Sequence, residues 1–411
     1  MAAPPPSDEE TPPPVLETKL LPRLPDEILE LIFLRVASYA ELARISTAST
    51  SFRRLILAPS FLRRHRARHP PLLLGTICCR FHPAEQPHPG APIGRALSHL
   101  AAFSFNNYIP RGRWSRWDCR DIRDGRFLLM CDSRDWRRFV FPDLAVYDPL
   151  SKRYRLLPLI PDSLIASAQL QMNKIQHLEV LLVSASGHTE EEEKSFKVIA
   201  RTHGTEKTVI FVFSSNTGHW IFGASITWDD LRAAGLNLAP ATPIGSLSLS
   251  YAQYDDHSSF YWKLDGSDNV LKFDVNEMEF STMNLPPDHT RQSVAIFKLG
   301  EGRLAMFSHT PYTAYVNHYT IMQNGGGRAT AEWQLENVIP LPCQCTFIGA
   351  LQGYVFLLGS CCIEEETVVG MAFYSLEVET LKLERVHRMQ FVYGRIHPYF
   401  GFPPCMSPRR I

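Results

Sequence analysis

The sequence predicts a multidomain chain in which a short α-helical unit precedes a long all-β domain. Two observations support this fold class. Apolar residues recur at helical spacing up to about residue 69, whereas from Pro70 onward short runs of Val, Ile, Leu, Phe and Tyr are separated by turn-forming residues. The length of 411 residues also suits two domains.

The expected boundaries follow from local composition. Three consecutive prolines begin at Pro4 and again at Pro12, among acidic residues, so the N-terminus has too few apolar side chains to form a core. We predict a disordered tail at 1–18, a helical domain at 19–69, a β domain at 70–405 and a short tail at 406–411.

The charge balance argues against several function classes. Lys and Arg together number 42, as do Asp and Glu, so the net charge gives no electrostatic reason to bind nucleic acids or anionic membranes. The sequence contains no apolar run of about 18 residues, which a membrane-spanning helix requires. Its N-terminus lacks the basic and apolar regions of a secretory signal. We expect neither a membrane nor a nucleic acid as partner.

The cysteines give no metal-binding pattern. Nine are present, without a Cys-x-x-Cys pair or histidines at zinc-finger spacing. They are expected to act as small apolar residues in strands, in a reducing compartment. We therefore predict no metal site, and a location in the cytoplasm, the nucleus or both.

The first predicted helix starts near Pro25, where a first-turn proline precedes two acidic residues that favour the positive end of the helix dipole. It is expected to run to about Ala37. Its apolar side chains occupy more than one helix face: Ile28, Leu29, Leu31, Ile32, Phe33, Leu34 and Val36.

Three further helices are predicted. Ser38 and Glu41 have the spacing of a capping box, which opens a second helix. A third helix carries Phe52, and Pro59 starts a fourth that runs to Arg68.

This helical unit has more apolar surface than its own core can use. A unit of fewer than 50 residues buries only a modest fraction of its surface, and burying each apolar side chain contributes roughly 1.5–3 kcal/mol. We therefore expect another protein to cover the extra apolar face. The alternative is that this face packs on the chain's own C-terminal domain.

The unit resembles an F-box in residues 24–36, 41–44 and 51–56, with a Leu-Pro start, a Leu-x-Arg middle and an aromatic-Arg end. The resemblance implies binding to the Skp adaptor of a cullin–RING ubiquitin ligase. The implied adaptor contacts are Leu24, Pro25, Ile28, Leu29, Ile32, Phe33, Leu42 and Ile45. The implied core residues are Val36, Phe52, Leu55 and Ile56. One departure is Phe52, where the family usually has Trp.

A strand–turn–strand pattern recurs through the β domain. The clearest copies are residues 144–154 and 271–280, and looser copies lie at 209–220, 319–333 and 373–383. With the strands that precede them, the unit has about four strands and a period of roughly 45–65 residues, which is typical of β-propeller blades. Residues 71–107, closed by strands near 391–402, would add a sixth blade. We predict six blades; seven blades and a two-sheet β-sandwich are the alternatives.

The β domain resembles the F-box-associated domain of plant F-box families, particularly those of grasses, in segments such as 211–215, 260–262 and 399–404. Together the resemblances imply the substrate-recognition subunit of a Skp–cullin–F-box ubiquitin ligase, with a propeller that binds an unknown protein target. Such a subunit has no catalytic residue and no cofactor. The alternatives are an F-box-like scaffold that does not recruit cullin, and a propeller hydrolase.

Four segments could suggest other chemistry, but each has a simpler explanation. Asp255, Asp256 and His257 would point to alternate faces of a strand, or lie in an ordinary turn. The glycines at 325–327 lack the Lys-Ser/Thr of a phosphate loop. The acidic run at 190–193 suits a solvated insertion. The Arg- and Trp-containing segment at 111–117 suits an exposed loop or a patch for a protein partner.

Overall fold

The computed structural model describes residues 24–101, 103–110, 116–132, 140–183, 194–236, 253–254, 259–264, 266–299, 302–322, 332–362, 369–390, 392 and 394–402. The chain divides into two compact units, Met1–His69 and Pro70–Ile411. The first is helical and the second consists mostly of strands. None of the described helices is both long enough and apolar enough to cross a membrane.

The first unit contains four helices among its described residues. They are α1 (Asp26–Phe33), α2 (Tyr39–Ala48), α3 (Thr50–Ile56) and α4 (Pro59–Arg68). Helix α1 begins directly after Pro25 with two acidic residues in its first turn, and α4 has Pro59 in its first turn. A proline fits there because the first-turn N–H groups have no partner within the helix.

The predicted capping box forms only in part. Ser38 Oγ accepts a hydrogen bond from the backbone N–H of Glu41 at 3.3 Å, which caps α2. The carboxylate of Glu41 pairs with Arg44 along the helix instead of returning to the Ser38 backbone. The ion pair with Arg44 therefore takes the place of the second predicted bond, that of the Glu41 carboxylate to the Ser38 N–H.

Helix α1 ends at Phe33, four residues before the predicted end at Ala37. His65 of α4, and His69 directly after that helix, provide the physical reason. His65 Nε2 donates to the Val36 carbonyl at 3.0 Å, and His69 Nε2 donates to the Leu34 carbonyl at 2.9 Å. These side chains satisfy carbonyl groups that another helical turn would otherwise have to satisfy.

The second unit contains six antiparallel sheets among its described residues. Five are four-stranded meanders in chain order, and the sixth has the order β2–β1–β23. Blade 1 comprises β1 (Leu72–Ile77), β2 (Phe81–Pro83) and β23 (His397–Gly401). Blade 2 comprises β3 (Arg116–Arg123), β4 (Arg126–Asp132), β5 (Leu144–Asp148) and β6 (Arg153–Leu156). Blade 3 comprises β7 (Ile175–Val183), β8 (Lys197–Gly204), β9 (Lys207–Ser214) and β10 (His219–Thr227).

The remaining blades follow the same meander. Blade 4 comprises β11 (Gln253–Tyr254), β12 (Ser259–Lys263), β13 (Asn269–Asp274) and β14 (Glu279–Asn284). Blade 5 comprises β15 (Ser293–Lys298), β16 (Arg303–His309), β17 (Tyr315–Met322) and β18 (Gln334–Pro340). Blade 6 comprises β19 (Cys345–Leu351), β20 (Tyr354–Cys362), β21 (Val369–Glu377) and β22 (Leu383–Met389). Helices α5 (Ala91–Leu100), α6 (Asp162–Ser167) and α7 (Trp228–Ala233) interrupt the strands, with single 3₁₀ turns at Phe105–Asn107 and Met172–Lys174.

The first and last strands of the second unit pair in one sheet and close the ring. Strand β1 runs antiparallel to β23, with Leu72 opposite Gly401 and Ile77 opposite His397. Inner strands of adjacent blades also contact each other, β23 with β3 and β3 with β7. Closure of this kind protects sheet edges that would otherwise template aggregation. The predicted six-bladed propeller, with its sixth blade built from both ends of the β domain, is confirmed.

The two clearest sequence copies form the same turn. Asp148 Oδ1 accepts a bond from the Leu150 N–H at 2.9 Å, and Asp274 Oδ1 accepts one from the Asn276 N–H at 2.9 Å. Four residues after each Asp, Lys152 and Met278 have positive φ angles of 56° and 55°. The side-chain carboxylate thus starts the turn that joins the last two strands of blades 2 and 4.

Two buried carboxylates link adjacent blades. Asp121 of β3 accepts a bond from the backbone N–H of Leu182 in β7 at 2.8 Å. Glu179 of β7 pairs with Arg201 at 3.1 Å and accepts a bond from the indole N–H of Trp262, in blade 4, at 2.8 Å. Removing one partner would leave a buried charge without compensation. These contacts therefore fix how blades 2, 3 and 4 meet.

The seam between blades 1 and 6 contains buried histidine. His387 of β22 is hydrogen-bonded through Nε2 to Thr76 Oγ1 of β1 at 2.6 Å, and its ring stacks on that of His82. Burial, together with nearby His82, lowers the pKa of His387 from 6.5 to about 4. The imidazole is therefore neutral in the folded chain at pH 7.

Acidification should weaken this seam. Between about pH 6.5 and 4, the unfolded chain protonates His387 while the folded chain does not, so the free energy of unfolding falls as the pH falls. From pH 7 to 5 we expect a loss of about 2 kcal/mol from His387 alone. The measurement is the urea midpoint of β-sheet circular dichroism. His387→Gln should lose correspondingly less stability over this range, and an equal loss in both proteins would contradict the assignment.

Candidate functional site

One face of helix α1 carries two ion pairs to the other helices and a buried aromatic ring. Asp26 pairs with Arg54 of α3 at 3.0 Å, and Glu30, one turn later, pairs with Arg64 of α4. Phe33, at the end of the same face, is buried. Because positions 26, 30 and 33 share one side of a helix, α1 turns that side towards α3 and α4.

The opposite face of α1 is apolar and exposed. The exposed fractions are 51% for Leu24, 43% for Ile28, 51% for Leu31 and 44% for Ile32. Ile28 lies three residues before Leu31 and four before Ile32, so these side chains share one side of α1, and Leu24 lies just before the helix, four residues ahead of Ile28. We call these four residues the α1 stripe. A row of exposed apolar side chains is typical of a surface that another protein covers.

The interior beneath α1 is already filled without the α1 stripe. The rings of Phe33 and Phe52 meet edge to face, with centroids 5.2 Å apart. Leu42 and Phe61 are fully buried, and Ile56 is almost fully buried. The described core of the helical unit is therefore formed by side chains other than those of the α1 stripe.

The structure divides the predicted adaptor contacts into three groups. Exposed residues are Leu24, Pro25, Ile28 and Ile32; partly buried residues are Leu29 and Ile45; buried residues are Phe33 and Leu42. The side chains of Phe33 and Leu42 fill the interior of the helical unit in the unbound chain. Adaptor contact by the exposed residues stays a prediction.

Leu31 is absent from the predicted contacts, yet it lies on the α1 stripe. Its position three residues after Ile28 and one before Ile32 is the sequence signal that identifies it. Among the predicted core residues, Ile56 is buried, and Val36, Phe52 and Leu55 are partly buried.

Most of the residues considered for other chemistry lie outside the part of the chain that the structure describes. Residues 111–115, 190–193, 255–257 and 325–327 lie outside the described residues. Within the described part of the chain, no three His, Cys, Asp or Glu side chains are grouped so that they could hold a metal ion. Trp117 is buried and donates its indole N–H to the Pro110 carbonyl at 3.1 Å, so it is not available to stack on a nucleic-acid base.

Residues 21–68 match the protein-family model described as F-box-like. The match covers α1 to α4 and therefore includes the whole α1 stripe. No curated protein sequence matches the chain.

Solved structures with similarity to the chain are distant. An uncharacterized protein from Listeria monocytogenes EGD-e is 8% identical, with a TM-score of 0.35, over 69% of this chain and 68% of its own. The β-propeller domain of the Trilobed protease from Pyrococcus furiosus is 8% identical, with a TM-score of 0.34, over 67% of this chain and 71% of its own. Prolyl oligopeptidase B from Galerina marginata is 10% identical, with a TM-score of 0.30, over 74% of this chain.

The chain spans only 41% of that oligopeptidase, and these similarities carry no argument about activity. The fold rests on the strand pairing of the chain itself. The chain thus combines F-box-like helices at residues 21–68 with a six-bladed β-propeller.

Proposed function

We propose that the chain is the substrate-recognition subunit of a Skp–cullin–F-box ubiquitin ligase, in which the α1 stripe binds the Skp adaptor and the propeller binds a protein target. The α1 stripe is the observation that carries this proposal. Its four apolar side chains are 43–51% exposed within the F-box-like match. Since burying such a side chain contributes roughly 1.5–3 kcal/mol, an apolar groove on the adaptor would gain substantial binding free energy.

In this proposal the chain acts by proximity. A target held on the propeller has a raised effective concentration beside the ubiquitin-loaded conjugating enzyme, because both are linked through one complex. The chain performs no covalent chemistry and needs no cofactor. It would act in the cytoplasm, the nucleus or both, and the likeness of its β domain to those of grass F-box proteins belongs to the same proposal.

Introducing charge into the α1 stripe should prevent adaptor binding. The double variant Ile28→Asp and Ile32→Asp places two carboxylates where apolar contacts are required, and burying an unpaired charge is strongly unfavourable. We expect at least a ~100-fold weaker affinity for purified Skp adaptor, measured by isothermal titration calorimetry.

The matched control is Leu335→Asp with Val338→Asp on strand β18 of the propeller, where the side chains are 53% and 56% exposed. This pair has similar exposure but lies in the other unit, so it should bind the adaptor as the unaltered chain does. Unchanged affinity of the Ile28 and Ile32 double variant, with folded helices by circular dichroism, would contradict the assigned surface.

An F-box-like scaffold that does not recruit cullin is the second candidate, and Phe52 in place of the usual Trp is the observation that favours it. The two candidates differ in what accompanies the adaptor. Precipitation of the full chain from cell extract should recover both adaptor and cullin if the chain is a ligase subunit. Recovery of the adaptor without cullin would favour the scaffold.

Phe52 should stabilise the helical unit through its contact with Phe33. Because Phe52 is only partly buried, we expect Phe52→Ala to lower the free energy of opening of this unit by about 2–3 kcal/mol, measured by hydrogen exchange of the α1 and α3 amides. Leu57→Ala, at a side chain that is 38% exposed, is the control and should change it by less than about 0.5 kcal/mol. Equal effects of the two variants would show that the Phe33–Phe52 contact does not stabilise the unit.

A further inference from the structure

Two cysteine thiols lie in contact at the joint between blades 5 and 6. Cys343 Sγ and Cys345 Sγ are 3.9 Å apart, and Cys345 Sγ also donates to the Cys343 carbonyl at 3.4 Å. Both cysteines are reduced in this structure. A disulfide between them would require the sulfurs to approach to about 2.0 Å.

Gly359 of β20 provides the space for both sulfurs. It lies opposite Cys345 in the strand register. A Cβ atom at position 359 would overlap Cys343 Sγ and lie 2.9 Å from Cys345 Sγ. Any larger residue would therefore displace the thiols, so the absence of a side chain at Gly359 permits their contact.

The two thiols differ in accessibility. Cys345 is 1% exposed and belongs to the core between blades 5 and 6, whereas Cys343 is only partly buried. An oxidant from solvent can reach Cys343 first, and Cys345 is then the nearest partner. This is the arrangement of an oxidant-reactive thiol and a resolving thiol.

We propose that Cys343 and Cys345 form a reversible, hydroperoxide-responsive disulfide in the propeller. The Cys343 thiol loses its proton, and the thiolate attacks the outer oxygen of a hydroperoxide, which breaks the O–O bond and gives Cys343 sulfenic acid. The leaving oxygen takes up the proton that Cys343 lost, so that an alcohol is released, or water from hydrogen peroxide. The sulfur of Cys345 then attacks the Cys343 sulfur, and the displaced hydroxyl leaves as water with the Cys345 proton. Overall, two thiols are oxidised to one disulfide and one hydroperoxide is reduced.

The order of the two steps follows from the surroundings of the thiols. Burial, together with the neighbouring Cys343, raises the pKa of Cys345 to about 12. Cys345 is therefore almost entirely a thiol at pH 7 and is a poor first nucleophile, since the thiolate is the reactive form. Cys345 resolves the sulfenic acid because its sulfur lies beside that of Cys343, 3.9 Å away in the reduced pair, and its proton passes to the leaving hydroxyl as it attacks.

The disulfide would act as a switch rather than as a structural brace. It would join residues only two positions apart, and the stabilisation from restricting the unfolded chain is smallest for short loops. A strained bond in such a tight ring is also readily reduced, which is typical of labile and regulatory disulfides.

Oxidation would act on an exposed aromatic segment of blade 5. The backbone of Cys345 is bonded to the loop that joins β16 to β17: its N–H donates to the Thr313 carbonyl at 3.1 Å, and its carbonyl accepts from the Tyr312 N–H at 3.0 Å. His309 Nε2 also meets this carbonyl at 2.9 Å. Tyr312 in this loop is 73% exposed. Closing the disulfide therefore strains the bonds that position Tyr312.

The test uses the full-length chain and hydrogen peroxide as the oxidant, followed by alkylation with N-ethylmaleimide and chymotryptic peptide mapping by mass spectrometry. Cleavage after Phe347 separates Cys343 and Cys345 from Cys361 and Cys362. We expect the peptide with Cys343 and Cys345 to lose about 2 Da, to take up no maleimide, and to recover both thiols with dithiothreitol.

Three variants distinguish a disulfide that depends on the contact between Cys343 and Cys345 from unspecific oxidation of single cysteines. Cys343→Ser and Cys345→Ser should each abolish the loss of two hydrogens, and Gly359→Ala should slow it at least about tenfold although both thiols remain. Cys79 is exposed and serves as the internal control, because its oxidation shows that the peroxide has reacted with the protein. The proposal is overturned if Cys79 is oxidised while Cys343 and Cys345 remain alkylatable, or if Cys343 reaches sulfinic acid equally fast with and without Cys345.

Discussion

Helix α1 has apolar side chains on two opposite faces, and the small helical unit can bury only one of them. On the inward face, Phe33 is buried, and partly exposed ion pairs join Asp26 to α3 and Glu30 to α4. Phe33 then packs on Phe52 in the interior, while Ile28 and its neighbours on the α1 stripe stay exposed. The exposed apolar row is thus a direct consequence of how α1 is oriented, and burial of Phe33 contributes more to that orientation than the exposed ion pairs do.

The propeller holds many short strands together in one ring. Its first and last strands, β1 and β23, pair in a single sheet, so neither end of the unit leaves an open seam. Buried polar contacts from Asp121 and Glu179 add fixed connections between blades. A rigid ring suits the proposed function, because a flexible platform would lower the effective concentration of a bound target.

Local features of the sequence predicted much of the fold. The Asp-initiated turns at Asp148 and Asp274 and the sixth blade at both ends of the β domain follow from repeat spacing and turn chemistry, which act over a few residues. Local features did not predict the early end of α1. It depends on His65, 29 residues from its carbonyl partner, and on His69, 35 residues from its own.

The candidate site was predicted less completely, because it also depends on contacts between residues far apart in the sequence. Periodicity shows that α1 is apolar on two sides, but it does not show which side faces inward. That choice depends on tertiary contacts such as that of Phe33 with Phe52, 19 residues later, and it places Phe33 inward and Leu31 outward. Likewise, the contact between Cys343 and Cys345 depends on the register that places Gly359 opposite Cys345.

The central claim is that the exposed face of α1, rather than the propeller, binds the Skp adaptor. Hydrogen exchange of the full chain with and without purified adaptor tests it most directly, because peptides report each region separately. The account predicts slower exchange in peptides that cover α1, with no change in the six blades. Slower exchange in the propeller, with α1 unchanged by the adaptor, would contradict it.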